Sequence, residues 1–464
     1  MKNKFKSEYS GKKVLILGLG QFPQGSGASA ARFFSRAGAR VTITDKKPAA
    51  ELVRARKRLQ GIKARFVFGG HDLSDVRRAD IIIRNPGVRR DSAELVLARR
   101  LGKPVLNDIV VFLKNCPAQV IGVTGTRGKS TTSALVAEIF KAAGRRVWLG
   151  GNIKISPLSF AERVQADDLV VLELSSWMLE HFKEARPGLK VAVFTNLLRD
   201  HLNTYDSMAD YFSAKKGIFA GQTSRDIAVI SADNIWTKKL RRATKAKIIW
   251  TSLKSRPEKD AVFVRRGEII AREQGKVTRA AAISDLALQG EHNLANALLA
   301  IGAGRALDAP WNAMKKALRT FKGLPDRQEA VRVWRGVSFI NDTTATTPDA
   351  TIAALRVFPS QKTVLITGGT DKKLFFGELA REALKVKALV LLPGSATDKL
   401  RPLLDRNNVS YADVRSMKEA VASAAKKARP GDRVLLSPGA SSFGLFKNEF
   451  DRGEQFVREV KRLR

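Results

Sequence analysis

The sequence predicts an α/β protein of three domains, each built on a mostly parallel sheet. The chain has 464 residues, and at about 150 residues per domain this length corresponds to three domains. Apolar, strand-like runs alternate with helical segments along the chain, as βαβ units require. Many of these runs end in glycine-rich or polar turns, which is typical of the ligand-binding edge of a parallel sheet. We expect domains over residues 1–107, 108–322 and 323–464.

The first domain has the pattern of a Rossmann-like nucleotide-binding unit. A strand over 12–20 (KKVLILGLG) runs into a glycine turn, a helix is expected over 28–37, and VTITD (41–45) forms a second strand. Asp45 stands near the position where this fold places an acid against a ribose. Pro23 occupies the third glycine position of G-x-G-x-x-G, so this turn alone is a weak indicator of a dinucleotide.

The stretch QVIGVTGTRGKSTTSALVAEIF (119–140) predicts a nucleoside-triphosphate site in the second domain. A buried strand is expected over 120–123, followed by a tight turn and a helix from about Ser130. Glycines at 125 and 128 allow the backbone to curl around an anion, and the helix N-terminus adds the positive end of its dipole.

Three side chains of this turn suit phosphate chemistry. Lys129 supplies a cation for the outer phosphates, and the hydroxyl of Ser130 or Thr131 can bind Mg²⁺. The usual pattern G-x-x-x-x-G-K-[ST] is missed by one residue, because Val123 replaces its first glycine. The alternative interpretation is an ordinary glycine-rich turn between a strand and a helix.

Two further strands of the central domain carry polar residues at their carboxyl ends, beside the turn in a parallel sheet. DLVVLELSS (168–176) contains Glu173, and VAVFTNLL (191–198) is followed by Asp200 and His201. His201 is a candidate metal ligand or proton carrier. A hydrogen-bonded loop histidine is the alternative.

Beyond the central strands, residues 253–290 alternate short strands and turns, and a helix is expected over 290–304. A third domain begins near Gly323. There, β-rich runs such as VSFINDTTAT and RVLLSPGASSFG end in glycine, serine or aspartate turns. The predicted fold class is therefore α/β, with a Rossmann-like N-terminal domain, a central P-loop ATPase-type domain and a Rossmann-like C-terminal domain.

Composition narrows the class of protein. The chain has 83 Lys and Arg against 44 Asp and Glu, a net charge of +39, so a basic nucleic-acid-binding ATPase is a serious alternative. The excess charge is dispersed, however, and no RNA-binding signature accompanies it, so we expect an anionic substrate and no specific nucleic acid. The single Cys116 excludes a disulfide framework. No apolar run is long enough to span a bilayer and no signal peptide is recognisable, which favours a cytoplasmic protein.

Ten motifs, taken in order, resemble the Mur ligase family, and within it the branch that adds D-glutamate. The phosphate-loop pattern is G-x-T-G-T-x-G-K-S-T, and the C-terminal motif is the most discriminating for that branch. The other motifs and their residues are GGNI (150–153), LELSSWMLE (172–180), TNLLRDHLNTY (195–205), SAKKGIF (213–219), GEHNLAN (290–296), GLPDRQE (323–329), INDTTAT (340–346), GGTDK (368–372) and LLSPGASSFGLFKNEFDRG (435–453).

The resemblance implies an ATP-dependent ligase of peptidoglycan precursor synthesis. Such an enzyme joins D-glutamate to UDP-N-acetylmuramoyl-L-alanine through an acyl phosphate, with ATP and two Mg²⁺ sites, and we expect a monomer. A carboxylate is a poor electrophile, and its phosphorylation makes attack by an amine feasible. Transfer of a phosphoryl group between two anions needs concentrated positive charge.

The resemblance also implies residue roles. The catalytic residues would be Lys129, Glu173, His201 and Lys215. Ser130 and Glu173 would bind one Mg²⁺, and His201 would bind the other together with a carbamylated Lys215. Lys216 is the alternative to Lys215 as the modified lysine. ATP would contact Gly125, Thr126, Arg127, Gly128, Lys129, Ser130, Thr131, Asn293, Arg327 and Asp342. The UDP-linked substrate would contact Gly18, Gly20, Asp45, Asn85, Gly87 and Asn152. The amino acid would contact Thr346, Lys372, Ser442 and Phe446.

Five features depart from the family pattern. Met178 replaces a glutamine, Thr344 replaces the lysine of N-D-S-K-A-T, Arg127 replaces an asparagine, and Asp326 stands where histidine is common. Residues 21–24 resemble a small insertion in the uridine loop. Loss of the lysine at 344 is expected to weaken the amino-acid site without removing its preference for an acidic side chain.

Two related ligases remain as alternatives. A sister Mur ligase that adds another amino acid is one alternative, mainly because Thr344 replaces the lysine of the family pattern. A folylpolyglutamate synthetase shares the phosphate loop, but it lacks a separate N-terminal nucleotide domain, whereas 118 residues precede the QVIGVTG strand here.

Overall fold

The computed structural model describes residues 8–20, 22–57, 59–201, 204–255, 257, 259–288 and 290–464. They form two compact units, one within Met1–Ala287 and Leu294–Phe321 and the other within Leu288–Asn293 and Lys322–Arg464. Gln21 of the predicted insertion and residues 202–203 of the TNLLRDHLNTY motif lie outside the described residues.

The amino-terminal part of the first unit is a parallel sheet of five strands in the described chain, in the order β3-β2-β1-β4-β5. Its strands are β1 (Lys13–Leu17), β2 (Arg40–Asp45), β3 (Ala64–Phe68), β4 (Ile81–Arg84) and β5 (Val105–Leu106). The intervening helices are α1 (Ser26–Arg36), α2 (Val53–Lys57), α3 (Leu73–Arg78) and α4 (Ala93–Arg100). This topology is half of a Rossmann fold, so its ligand edge lies at the carboxyl ends of β1 and β4.

The second sheet has nine strands among the described residues, in the order β14-β13-β12-β11-β10-β9-β6-β8-β7. Pairing is parallel from β7 to β12 and antiparallel for β13 and β14. The strands are β6 (Gln119–Thr124), β7 (Val147–Gly151), β8 (Leu169–Glu173), β9 (Val191–Phe194), β10 (Ile227–Ser231), β11 (Lys247–Ser252), β12 (Ala261–Arg265), β13 (Glu268–Glu273) and β14 (Lys276–Ala282).

Helices flank this second sheet on both faces. They are α5 (Asp108–Leu113), α6 (Lys129–Ala142), α7 (Ser176–Leu179), α8 (Phe182–Ala185), α9 (Met208–Lys216), α10 (Ile235–Lys238), α11 (Glu291–Ala306) and α12 (Trp311–Thr320). Strands β6, β8 and β9 are almost continuous runs of buried Val, Ile and Leu. Such runs are typical of parallel strands that are covered on both faces.

The second unit holds a sheet of six strands in the part of the chain that is described, in the order β15-β16-β20-β17-β18-β19. Only the β15–β16 pair is antiparallel within this order. The strands are β15 (Glu329–Trp334), β16 (Val337–Asn341), β17 (Thr363–Gly368), β18 (Ala388–Leu392), β19 (Tyr411–Asp413) and β20 (Arg433–Leu436). The helices are α13 (Pro348–Val357), α14 (Gly377–Ala383), α15 (Ser395–Asp405), α16 (Met417–Lys427) and α17 (Glu449–Lys461).

The predicted α/β class with mostly parallel sheets is confirmed. The division at 107/108 and 322/323 stays a prediction, because the two compact units do not test it. No helix among the described residues is long and apolar enough to cross a membrane.

Gly27 lets α1 close on the turn after β1, although it lies four residues beyond the third position of G-x-G-x-x-G, which Pro23 occupies. A Cβ atom on Gly27 would lie 2.3 Å from the carbonyl oxygen of Gly18 and 2.4 Å from that of Leu19. Pro23, which stands at the third position of the nominal motif, precedes the helix, because α1 begins at Ser26. The extra residues before the helix therefore move the close helix–turn contact to Gly27.

We predict that Gly27→Ala lowers the free energy of unfolding by about 1–3 kcal/mol, because a methyl group would displace the glycine turn after β1. Urea denaturation checks this. Gly70→Ala is the control, since nothing lies within 4 Å of a Cβ atom at that position. Equal stability of the two variants would contradict the close packing of α1 on the turn.

Candidate active site

Two glycines shape the loop between β6 and α6. Gly125 and Gly128 have φ angles of 146° and 81°, which L side chains rarely adopt. A Cβ atom on Gly125 would lie 1.9 Å from Oγ1 of Thr195, and one on Gly128 would lie 2.2 Å from Oδ1 of Asn296. Any larger residue at either position would push the loop away from these neighbours.

The end of β9 supports this loop from one side. The N–H group of Thr126 donates to the carbonyl oxygen of Asn196 at 2.9 Å, and that of Arg127 donates to Oδ1 of Asn196 at 3.0 Å. Oγ1 of Thr195 donates to the carbonyl oxygen of Arg127 at 2.6 Å. An incoming anion would therefore bind at the amino end of α6, where the helix dipole is positive.

The predicted phosphate-binding side chains follow directly. Nζ of Lys129 donates to the carbonyl oxygen of Thr126 at 2.9 Å, so the ammonium lies folded over the loop. Ser130 is buried and Thr131 is half-buried in the first turn of α6. The residues from Gly125 to Thr131 thus form one continuous loop that leads into α6, and their binding of ATP stays a prediction.

Lys215 lies beneath this loop. Its side chain is 2% exposed, and its Nζ donates to the carbonyl oxygen of Gly125 at 2.8 Å. Burial, reinforced by the charge of Lys129, lowers the pKa of the Lys215 ammonium well below its ordinary value, although Asp200 and Glu173 oppose the shift. The neighbouring Lys216 is exposed. Of the two lysines, only Lys215 combines burial with contact to the loop.

Glu173 ends β8 beside the same loop. Its Oε1 accepts a hydrogen bond from Nδ2 of Asn152 at 2.9 Å, whereas its buried Oε2 has no hydrogen-bond partner within the part of the chain that the structure describes. A buried carboxylate oxygen without a partner is costly unless a cation or a proton satisfies it. Asn152, which the resemblance assigns to the UDP-linked substrate, therefore also orients this carboxylate.

His201 follows β9 and belongs to a charged cluster. Its φ angle is 56°, and its Nε2 lies 3.8 Å from Oδ2 of Asp200. The same oxygen lies 3.3 Å from Nη1 of Arg127. Trp177 packs edge-on against the imidazole at a ring separation of 5.0 Å. The atypical Arg127 thus pairs with an acid beside the predicted metal ligand.

The residues present suit Mg²⁺ bound together with substrate phosphates. Among the described residues, no group of three or more His, Cys, Asp or Glu could hold a metal ion. Mg²⁺ commonly uses only one or two protein carboxylates and takes its other ligands from water and phosphate oxygens. The unpartnered Oε2 of Glu173 and the nearby Ser130 fit that requirement.

The predicted UDP-binding residues gather at the carboxyl ends of β1, β2 and β4. Gly18 and Gly20 have φ angles of 85° and 74°. Oδ2 of Asp45 accepts from the N–H of Gly20 at 3.2 Å. Asn85 packs against the turn, because a Cβ atom added to Gly18 would lie 3.0 Å from the Cβ atom of Asn85. The N–H group of Gly87 donates to Oδ1 of Asn85 at 3.1 Å. Asp45 thus holds the turn itself.

Asp342 follows β16 in the second unit and is buried there. Oγ of Ser437 donates to its Oδ2 at 2.9 Å, and the N–H of Gln328 donates to its Oδ1 at 3.3 Å. Burial raises the pKa of Asp342 to about 7, although these hydrogen bonds and the charges of Arg327 and Arg452 oppose the shift. The carboxyl of Asp342 is therefore poised to titrate near neutral pH.

The other residues assigned by the resemblance also lie in the second unit. Thr346, Lys372 and Ser442 follow β16, β17 and β20, which are neighbours in the sheet. Ser442 and Phe446 are buried, whereas Thr346 and Lys372 are half-buried. Asn293 is buried, and its N–H donates to the carbonyl oxygen of Gly290 at 3.0 Å.

A fully buried arginine joins the loops that carry these residues. Nε and Nη2 of Arg452, in α17, donate to Oγ1 and the carbonyl oxygen of Thr343 at 3.0 and 2.8 Å. Nη1 donates to the carbonyl oxygen of Ala440 at 3.1 Å. Burial lowers the pKa of Arg452 to about 10. Its guanidinium fixes the loop after β16 against the loop after β20.

Two departures from the family pattern contact each other. Thr344 donates both its Oγ1 and its N–H to the carbonyl oxygen of Asp326, at 2.9 and 3.3 Å. Oδ1 of Asp326 accepts in turn from Nδ2 of Asn341 at 3.0 Å. A third departure, Met178, is 4% exposed and packs in the hydrophobic core. Position 178 therefore contributes packing here.

Several supporting residues escape motif reasoning. Asn196 and Thr195 brace the phosphate loop, and Asn296 accepts from Oγ1 of Thr132 at 3.3 Å on its other side. The TNLL and GEHNLAN motifs contain these residues, but spacing alone does not say which side chain turns toward the loop. Arg452 lies in the final motif, and nothing in the sequence indicates its burial.

Three models of known protein families match this chain, one in the region of each sheet. Residues 12–107 match the description "Mur ligase MurD-like, N-terminal domain". Residues 123–304 match "Mur ligase middle domain" and residues 312–439 match "Mur ligase, glutamate ligase domain". The chain belongs to the Mur ligase family. Each of the three matches covers one of the sheets described above.

Relatives and solved structures agree with this assignment. This Mur ligase is 38% identical to the UDP-N-acetylmuramoylalanine–D-glutamate ligase of Roseiflexus sp. (strain RS-1), over 98% of this chain and 99% of the relative. It is 36% identical to the protein of the same name from Acetivibrio thermocellus, over 99% and 98%.

The fold of this Mur ligase matches that of UDP-N-acetylmuramate-alanine ligase MurC from Thermotoga maritima. The TM-score is 0.65 at 21% identity, and the match covers 97% and 99% of the two chains. A pseudomurein peptide ligase type C from Methanothermus fervidus gives a TM-score of 0.60 at 20% identity, with coverage of 97% and 100%.

The titration of Asp342 yields a pH-dependent prediction. Its pKa of about 7 in the folded protein lies above the ordinary value of 3.8, so stability is lost as the pH rises from about 4 to 7 and the buried carboxyl ionises. We expect Asp342→Asn to gain stability relative to the parent over that window, by up to about 4 kcal/mol at pH 8. Urea denaturation between pH 4 and 8 measures the difference.

The exposed Asp349→Asn in the same unit serves as the control. A difference between Asp342→Asn and the parent that does not change with pH would contradict the burial of a protonated carboxyl.

Proposed function

We propose that this Mur ligase uses ATP to join D-glutamate to UDP-N-acetylmuramoyl-L-alanine, a step in the synthesis of peptidoglycan precursors. The observation that carries the proposal is the full-length similarity, at 34–38% identity, to proteins named UDP-N-acetylmuramoylalanine–D-glutamate ligase. The site agrees with that chemistry, because Lys129 and Lys215 donate to carbonyl oxygens of the glycine-rich loop and Oε2 of Glu173 has no hydrogen-bond partner among the described residues.

The substrate carboxylate must first be phosphorylated. The cradle from Gly125 to Thr131 would hold the phosphates of ATP, and Lys129 would neutralise charge on the group in transfer. Arg327, Asp342 and Asn293 would bind the rest of the nucleotide. ADP leaves, and the amine of D-glutamate displaces phosphate from the acyl phosphate to form the amide.

Mg²⁺ would supply charge neutralisation at the transferring phosphoryl group. We propose two sites, one held by Glu173 and Ser130 and the other by His201 and Lys215. Asn152 fixes one oxygen of Glu173, so its other oxygen is oriented for a cation. The incoming amine must be neutral to attack, so we expect a base or a metal-bound carboxylate near His201 to accept its proton.

A carbamate on Lys215 would complete the second site. A neutral lysine amine attacks CO₂, loses one proton to water and becomes an N-carboxylate anion, whose oxygens suit a hard cation. The depressed pKa of Lys215 supplies the neutral amine, and its contact with Gly125 places it beneath the loop. Lys216, by contrast, is exposed.

The amino acid would bind in the second unit. Lys372, Ser442, Thr346 and the backbone near Phe446 would hold the remote carboxylate, since charge-assisted hydrogen bonds contribute about 1.5–3 kcal/mol each. The family's lysine at this position is replaced by Thr344, whose hydroxyl carries no charge and already donates a hydrogen bond to the carbonyl oxygen of Asp326. We therefore expect a high KM for D-glutamate.

The first domain, proposed over residues 1–107, would hold the UDP group through Gly18, Gly20, Asp45, Asn85 and Gly87. The central domain (108–322) would bind ATP, and the third (323–464) the amino acid. A monomeric enzyme acting in the cytoplasm completes the proposal.

We predict that Lys215→Ala lowers kcat by on the order of 10²-fold or more, because the second cation site is lost. Acetate should partly restore activity by standing in for the carbamate. The matched variant Lys216→Ala should retain most of its activity. Full activity of Lys215→Ala, or its loss only in Lys216→Ala, would remove Lys215 from the site.

Substrate choice is tested by phosphate release with ATP, UDP-N-acetylmuramoyl-L-alanine and a panel of D- and L-amino acids. We expect D-glutamate to give the highest kcat/KM, and Thr344→Lys paired with Asp326→His to lower its KM, because the two positions contact each other. More efficient use of a neutral or basic amino acid would instead indicate a sister Mur ligase.

A further inference from the structure

A basic face with an apolar tip projects from the first unit around α10. We name it the α10 patch and define it as Ile235, Lys238, Lys239, Arg241, Arg242, Lys245 and Lys247. All seven side chains are exposed, and Ile235 is 73% exposed. No acidic residue occurs in the sequence between Asp233 and Glu258. Its charge is therefore uncompensated along the chain.

The geometry of the helical turn concentrates these groups on one side. A 3₁₀ turn over Lys239–Arg242 continues directly from α10. Residues three and four apart share a helix face, so Ile235 and Lys238 lie on the same side of α10. Thr237 and Leu240, which are buried, anchor the opposite face. Asn234 caps the turn by accepting from the N–H of Trp236 at 3.0 Å.

The cations of the patch repel one another. None of the six forms an ion pair with a carboxylate of the described residues. Like charges three or four residues apart destabilise a helical turn. An anionic surface would relieve that repulsion and would also take the aliphatic tip of Ile235 out of water.

We propose that the α10 patch docks the enzyme on the surface of a membrane rich in anionic lipids. Clusters of four to eight Lys and Arg on a helix with an apolar side chain are typical of such binding. Single-stranded nucleic acid fits less well, because its binding sites combine basic groups with aromatic rings on which bases stack. The ring of Trp236 is already covered by Phe212, at 5.4 Å between centroids, and by Nζ of Lys239 at 4.6 Å.

The test is co-sedimentation of the full chain with vesicles at near-physiological salt. One set contains phosphatidylcholine alone, and the other contains phosphatidylcholine mixed with phosphatidylglycerol. We expect binding to the mixed vesicles only. Replacing Lys238, Lys239, Arg241 and Arg242 together with Ala should lower that partitioning by at least about tenfold, since each cation contributes measurably near a charged surface.

A charge-matched control separates the patch from the general basicity of the chain. Lys418, Lys426, Lys427 and Arg429 are exposed in the second unit, and their joint replacement with Ala should change partitioning by less than about threefold. Ile235→Ser, which removes only the apolar tip, should lower it by about fivefold or more. Ligase activity without vesicles should be unchanged in all three variants, which confirms that each one folds.

Three results would overturn the proposal. The first is that the parent protein does not bind the mixed vesicles. The second is that the patch and control variants lose vesicle binding equally. The third is that the patch substitutions weaken binding of single-stranded RNA at the same salt but leave vesicle binding unchanged. The ligase function would stand in each case, because the activity assay contains no membrane.

Discussion

The active site depends on how closely neighbouring segments approach the phosphate loop. Gly125 and Gly128 leave no room for a side chain between the loop and Thr195 on one side or Asn296 on the other. Because the loop is held from both sides, its carbonyl and N–H groups have fixed directions. Lys215 can then bury an amine against the carbonyl oxygen of Gly125. The unusual electrostatics of the site follow from that steric constraint.

The sequence predicts well what a regular pattern encodes. Buried strands such as β6 and β9 are recognisable in the sequence as apolar runs, and polar or glycine-rich turns follow their carboxyl ends. The fold class and the order of the motifs therefore follow from the sequence. The strand pattern also predicts that Glu173 and His201 lie at the carboxyl ends of strands beside the phosphate loop, whereas the role of Lys215 rests on the resemblance to the family. The mismatch at Pro23 and the extra residues 21–24 are visible in the sequence, but only the structure shows that Gly27 makes the close contact with the turn.

Side-chain contacts between segments that are distant in the chain cannot be predicted from this sequence. The departures at Thr344 and Asp326 look independent in the chain, yet a hydrogen bond joins them in the structure. Arg127 looks like a lone change in the phosphate loop, yet it pairs with Asp200 beside His201. Tertiary packing decides such pairs, and a single sequence contains no periodic signal for them.

The topology of the third sheet sets an order of assembly during synthesis. Strand β20 is the last of the described strands to leave the ribosome, yet it lies between β16 and β17 in the sheet. Arg452, which follows Thr343 by 109 residues, then locks the loops on either side. Until β20 is synthesised, β16 and β17 therefore lack the strand that lies between them in the finished sheet. The loop after β20, which carries Ser442 of the proposed amino-acid site, is made after the other strands of this sheet, so we expect a product truncated before β20 to lack ligase activity.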